Sequence, residues 1–193
     1  TTTPWTLPSN LGLAVGNDID YVVVREKSSG KTLVLAQALL GNAFKNAAEE
    51  IETLATVKGS ELLGVEYEPL FPYFADLKAK GAFRIIPSDH VTTDSGTGIV
   101  HMAPAFGEDD YFACQKAGIP VVNPVDDDGM FTKQVPDYQG RRVEEADKDI
   151  IKALRDKGLL FKQDTLEHSY PFCYRTDTPL IYRAVSSWFI SVE

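Results

Sequence analysis

Cysteine is scarce: only Cys114 and Cys173 occur among the 193 residues, and they lie far apart in the chain. That excludes a disulfide framework and favours a reducing, cytoplasmic setting. A chain of this length buries enough apolar surface to fold without such staples. No apolar run approaches the roughly 18 residues of a membrane span, and no basic-then-apolar leader opens the chain. Cations are in the minority, with 19 Lys and Arg against 28 Asp and Glu and a formal net charge of −9. Coating duplex DNA or an anionic membrane requires clustered Lys and Arg, so neither is an expected partner. A pocket that holds one nucleotide end through hydrogen bonds stays open.

Several catalytic signatures are missing as well. There is no GxxxxGK(S/T), no GxGxxG after a strand and no GxSxG elbow. No nucleoside triphosphate site, dinucleotide site or serine nucleophile is therefore expected. His168 and Cys173 are five apart, and His90 and His101 eleven apart, without a CxxC or HExxH pair. Asp126-Asp127-Asp128-Gly129 lacks the other ligand positions of a calcium loop and reads as a turn. No metal is expected, and the nucleophile of any chemistry here is water.

What is present is ordinary globular composition, 44% apolar and 24% charged, the size of one domain over residues 1–193. It opens on TTTPWTLPSN without a methionine and closes on LIYRAVSSWFISVE without a polar tail. Termini are usually polar and frayed, so these ends read as a domain excised from a larger protein. Residues 11–16, 20–25 and 32–35 read as strands, with Asn17 and Asp18 as a turn. Ala36 to Glu50 carries apolar residues at helical spacing. Strands follow at 53–58 and 65–68, then a loop broken by Pro69 and Pro72. Phe83–Ile86, His90–Thr93 and Ile99–Met102 read as strands, and Gly107–Gly118 as a helix with acids in its first turn. Glu144–Lys157 is a helix stopped by Gly158, and the remainder is mostly extended. Short strands without regular βαβ alternation predict an α+β fold, a barrel-like β core with peripheral helices.

Two stretches could carry chemistry. Thr1, Thr2, Thr3 and Thr6 offer four hydroxyls in six residues and Asn10 adds an amide. Such groups suit a ribose, an adenine edge or a positioned water. Trp5 and the two prolines shape the loop, although exposed strand-type threonines are the blander account. In GTGIVHMAPAFGEDDY, Gly96 and Gly98 flank Thr97 in a tight loop, His101 ends a strand, and Asp109 and Asp110 start a helix. The plainer alternatives are a satisfied core histidine and helix N-terminal acids.

Together with NPVDDDGMFT and YPFCYRTDTPLIYRAVSSWFI, these stretches resemble, over nearly the whole chain, the editing domain inserted in isoleucyl-tRNA synthetase, a class I enzyme. Valyl and leucyl relatives typically have an arginine after the first two threonines, where this chain has Thr3-Pro4-Trp5-Thr6. Phe172 and Tyr174 stand where many bacterial members have His and Trp, which points to a eukaryotic or archaeal type. HIGH and KMSKS are absent. The resemblance therefore implies that ATP and Mg serve another domain, and that this one uses no cofactor and makes no aminoacyl-adenylate.

The resemblance implies hydrolysis of valine wrongly attached to the isoleucine tRNA, with free valyl-adenylate a further candidate substrate. One missing methylene is worth only about 1–3 kcal/mol, a limit for which this synthetase is itself the standard example, so a second sieve is needed. Asp110 would hold the α-ammonium, and His101 would border the side-chain pocket. Thr2, Thr3 and Thr6, beside Thr1 and Trp5, would line the pocket and hold the terminal adenosine and a water. Asn10 would support that wall, and the Gly96–Gly98 loop would close the other side. The implied partners are a tRNA 3′ end carrying an amino acid and the remainder of the synthetase in cis. A valyl- or leucyl-type editing domain is the runner-up, and a non-catalytic module capturing the 3′ end is the alternative of another class.

Overall fold

The computed structural model describes residues 1–164, 170–188 and 190–192. His168 lies outside them. The strands are β1 (Gly12–Val15), β2 (Asp20–Glu26), β3 (Thr32–Ala36), β4 (Ile51–Lys58), β5 (Arg84–Pro87) and β6 (Val100–Met102). The helices are α1 (Leu40–Ala43), α2 (Ala47–Glu50), α3 (Glu108–Lys116) and α4 (Val143–Asp156), with 3-10 turns that include Pro4–Ser9 and Pro72–Lys80.

The strands form two three-stranded sheets. One has the order β5-β1-β6, with β1 parallel to β5 and antiparallel to β6; the other is the antiparallel β3-β2-β4. The mixed helix-and-sheet expectation holds, but among the described residues the strands form two small open sheets and no closed barrel. Trp5, Leu11, Phe83, Met102 and the α4 residues Val143, Ala146, Ile150 and Leu154 share the principal core beneath the first sheet. Burying one large aliphatic side chain contributes about 1.5–3 kcal/mol, so this stripe is enough to seat α4.

The two sheets meet at Gly98. Its carbonyl accepts from the Tyr21 hydroxyl at 2.6 Å, and the neighbouring Thr97 carbonyl accepts from the Ala36 N–H at 2.8 Å. A Cβ on Gly98 would lie 2.4 Å from that of Ala36, and its φ of +73° suits glycine.

Four local expectations are corrected. Ala36–Glu50 is no continuous helix but a 3-10 turn, α1 and α2, with Phe44 extended between the last two. Gly41, Asn42 and Asn46 are poor helix formers, and Phe44 is buried against Val22, Val24, Leu35 and Ile51. Pro72 begins a helical segment instead of preventing one, because proline at the first position sacrifices no hydrogen bond. Residues 65–68 reduce to one bridge, Glu66 opposite Arg84. His90–Thr93 is no strand, and a turn at Asp89 and His90 opens it: the Ser88 carbonyl accepts from Val91 N–H, and the Ser88 hydroxyl meets His90 Nδ1 at 2.6 Å. Such local bonds compete with extension.

Candidate functional site

The threonine-rich opening lies along β6. Leu11 N–H donates to the Met102 carbonyl at 3.0 Å, which sets Asn10 beside His101. Proline at the first position starts the 3-10 helix Pro4–Ser9. Thr6 and Asn10 consequently turn inward, each about 5% exposed. Thr6 Oγ1 donates to the Thr3 carbonyl at 2.9 Å and lies 2.9 Å from His101 Nε2. Asn10 Nδ2 lies 2.8 Å from His101 Nδ1. Both ring nitrogens of His101 are therefore engaged by the protein. Burial, reinforced by the nearby positive amino terminus, lowers its pKa to about 3. His101 is neutral at physiological pH and has no free nitrogen to serve as a general base.

Asp110 sits in the first turn of α3, where a carboxylate is favoured. Its Oδ2 accepts from Ala103 N–H at 2.8 Å, tying the helix start to the strand end two residues past His101. Gly107 permits this approach, since a Cβ there would fall 2.9 Å from Asp110 Cγ. Burial pushes Asp110 above the ordinary carboxylate value of 3.8, opposed by the Ala103 N–H and by the charge of His90. The carboxylate is thus partly desolvated, and a charge-assisted bond to a cation is strong in such surroundings.

The sequence-derived residues divide. Thr1 and Thr2 are exposed and Thr3 is half-buried, with the Thr1 hydroxyl 3.2 Å from that of Thr3. Thr6 stands behind the wall and not on it, because its hydroxyl is spent on Thr3 and His101. Trp5 is 4% exposed and packs edge-on against Phe106, with ring centroids 4.9 Å apart, so it supports the loop from below. Gly96, Thr97 and Gly98 belong to the joint with the second sheet. None of their recorded bonds reaches Asn10, His101 or Asp110.

Two contributors went unread in the sequence. Tyr67 donates its hydroxyl to Asn10 Oδ1 at 2.5 Å. Asp147 on α4 meets the Trp5 backbone N–H, while burial, aided by the neighbouring Glu144, pushes its pKa up to about 6. Neither lies in the two stretches that the sequence marked for chemistry. Only the α4 stripe, which puts Asp147 beside the buried Ala146 and three residues from Ile150, could have hinted at the second.

No protein-family model matches the chain. Isoleucine–tRNA ligase of Bdellovibrio bacteriovorus is 74% identical over all 193 residues, and the chain covers 18% of that relative. The corresponding enzymes of Chlamydia trachomatis serovar L2 and Chlamydia pneumoniae are 51% and 49% identical, again over the whole chain and 18% of their length. The chain thus spans under a fifth of these relatives. All three are bacterial, which lends no support to the eukaryotic or archaeal type expected from Phe172 and Tyr174. Among solved structures, GlLeuRS-CP1 superposes with a TM-score of 0.59 at 16% identity, covering 86% of this chain and 83% of that one. The P. knowlesi cytosolic leucyl-tRNA synthetase editing domain gives 0.54 at 13%, covering 81% and 80%. At these identities the likeness is one of fold.

Proposed function

The chain belongs by sequence with the isoleucine–tRNA ligases, of which it spans 18% of the length, and by fold with synthetase editing domains; from that premise we propose that it hydrolyses valine wrongly esterified to the isoleucine tRNA. The observation that carries this reading is the bond from Ala103 N–H to Asp110 Oδ2 at 2.8 Å, which ties a partly desolvated carboxylate to the strand end two residues past a neutral, fully bonded His101. Asp110 holds the α-ammonium of the misattached amino acid. His101 contributes shape and not protons, which suits a wall that admits valine and turns away the extra methylene of isoleucine. Thr1, Thr2 and Thr3 offer the hydroxyls that hold the terminal adenosine and a water.

The water oxygen attacks the ester carbonyl carbon, the bond from that carbon to the ribose oxygen breaks, and the ribose oxygen takes a proton. Valine and uncharged tRNA leave. Positioning supplies much of the rate for so reactive a bond, and donors aimed at the developing oxyanion add to it. With nine excess negative charges, the domain meets only the 3′ end, and the remainder of the synthetase carries the phosphate contacts. The chain alone should then bind whole tRNA weakly, and a submicromolar dissociation constant at physiological salt would contradict this.

The test is deacylation of valyl- and isoleucyl-tRNA, both on the isoleucine tRNA, by the chain and its Asp110→Ala variant. Loss of valine alone, slowed roughly a hundredfold in the variant as the removal of one charged partner implies, supports the reading. Equal, negligible loss of both by the chain, together with valine loss that Asp110→Ala leaves unchanged in a whole synthetase, overturns it in favour of a capture module.

A further inference from the structure

The Tyr67–Asn10–His101–Thr6–Thr3 series has a polarity that its atoms dictate. Asn10 Nδ2 lies 3.1 Å from the Gly12 carbonyl, an acceptor only, so the group there is the amide nitrogen. Asn10 Oδ1 then faces Tyr67 and accepts from its hydroxyl at 2.5 Å. The second hydrogen of Nδ2 then points at His101 Nδ1, 2.8 Å away, and that nitrogen must be unprotonated. The ring proton of the neutral imidazole sits on Nε2 and is donated to Thr6 Oγ1 at 2.9 Å. Thr6 keeps its own hydrogen for the Thr3 carbonyl at 2.9 Å. Each donor has one acceptor, and no member can be reversed alone.

We propose that Tyr67 is a positioning residue which, through Asn10, holds His101 in its Nε2–H tautomer and thereby fixes Thr6 and the Thr3 carbonyl at the threonine opening. Tyr67 is itself well held. Its N–H donates to the Phe83 carbonyl at 2.9 Å, and its ring stands edge-on to Phe83 with centroids 6.0 Å apart. Burial keeps the phenol protonated, and so a donor, at all physiological pH values. Five residues from three separate stretches of chain thus act as one rigid unit whose far end carries the substrate-facing hydroxyls. The inference rests on the editing reading for its catalytic consequence and on hydrogen-bond geometry for the tautomer.

The experiment is nitrogen-15 NMR of the histidine side chains, alongside deacylation kinetics for Tyr67→Phe. In the parent chain His101 should show a pyridine-like Nδ1 and a pyrrole-like Nε2, unchanged from pH 8 down to pH 5. In Tyr67→Phe the two shifts should move toward each other as Asn10 loosens. kcat for valyl-tRNA should fall about tenfold, the worth of one hydrogen bond, with KM changed less than about twofold. An Nδ1–H tautomer in the parent chain overturns the proposal even if the variant does not fold. Unchanged shifts and kcat in a folded variant overturn it too. The parent spectrum needs no deacylase activity, so failure of the editing reading and failure of this proposal give different results.

Discussion

At the residue scale, the four opening threonine hydroxyls look interchangeable in the sequence, yet the fold assigns them different work. Thr6 accepts from His101 and donates to Thr3, so Thr6→Val keeps the shape and strands the ring N–H of His101, while the Thr3 carbonyl keeps the Thr6 N–H at 3.1 Å. A stranded group costs about 1–3 kcal/mol. For a chain of this size that is a fall of roughly 2–12 °C in Tm, which calorimetry would show. Thr1→Val removes an exposed hydroxyl whose bonds stay within Thr1–Thr3, so its stability should stay within about 0.5 kcal/mol of the parent. The count of hydroxyls was legible; their direction was not. Facing is decided by the 3-10 turn that Pro4 starts and by a histidine some ninety positions away.

At the scale of elements, α4 against the Pro4–Ser9 turn is the contact that matters to the opening. Thr3, which precedes that turn, makes no side-chain cap, and Asp147 answers the Trp5 N–H from across the interface. Asp147→Asn keeps an acceptor and removes a charge that burial disfavours. It should therefore raise Tm at pH 8, by the equivalent of about 1 kcal/mol after discounting for solvent, and leave Tm unchanged near pH 4. A variant less stable than the parent at pH 8 would show that the charge itself is needed. α4 could be placed from sequence almost to the residue, because Ile150, Ile151 and Leu154 make an apolar stripe and Gly158 sits past its end with φ +68°; the structure buries Val143, Ala146, Ile150 and Leu154 and leaves Ile151 half-exposed. The segment 36–50 could not. There, burial of Phe44 in the small cluster overrode an alanine-rich pattern.

On the whole molecule, two groups pull stability in opposite directions with pH. His101 has a pKa of about 3 when folded, against 6.5 for an ordinary histidine. Its contribution is complete above pH 6.5 and is lost as pH falls from 6.5 toward 3. Asp147 is raised from 3.8 to about 6, so its share is greatest below pH 3.8 and declines as pH rises toward 6. Between pH 4 and 6 the two partly cancel, and Asp147→Asn should steepen the acid loss that urea titrations record across that window. Gly98 governs the other molecular property, the joining of the sheets. Gly98→Ala collides with Ala36 at a backbone angle suited to glycine. It should cost at least about 1–3 kcal/mol and loosen amide protection in β2 and β3 before β1 and β6. The sequence marked that loop as tight but gave no sign that it joins two sheets, because its partners, Tyr21 and Ala36, lie sixty and more residues upstream.

The chain has two tryptophans, one 4% exposed under the threonine opening and the other, Trp188, 99% exposed. Light emission separates them without labelling. Iodide in the buffer darkens Trp188 and leaves Trp5, whose indole rests on Phe106 directly below the residues that would greet a tRNA end. Adding aminoacylated 3′ ends to the quenched protein, excited beyond the absorption of its eight tyrosines, should shift the colour or brightness of that single remaining lamp, giving an optical titration of the pocket.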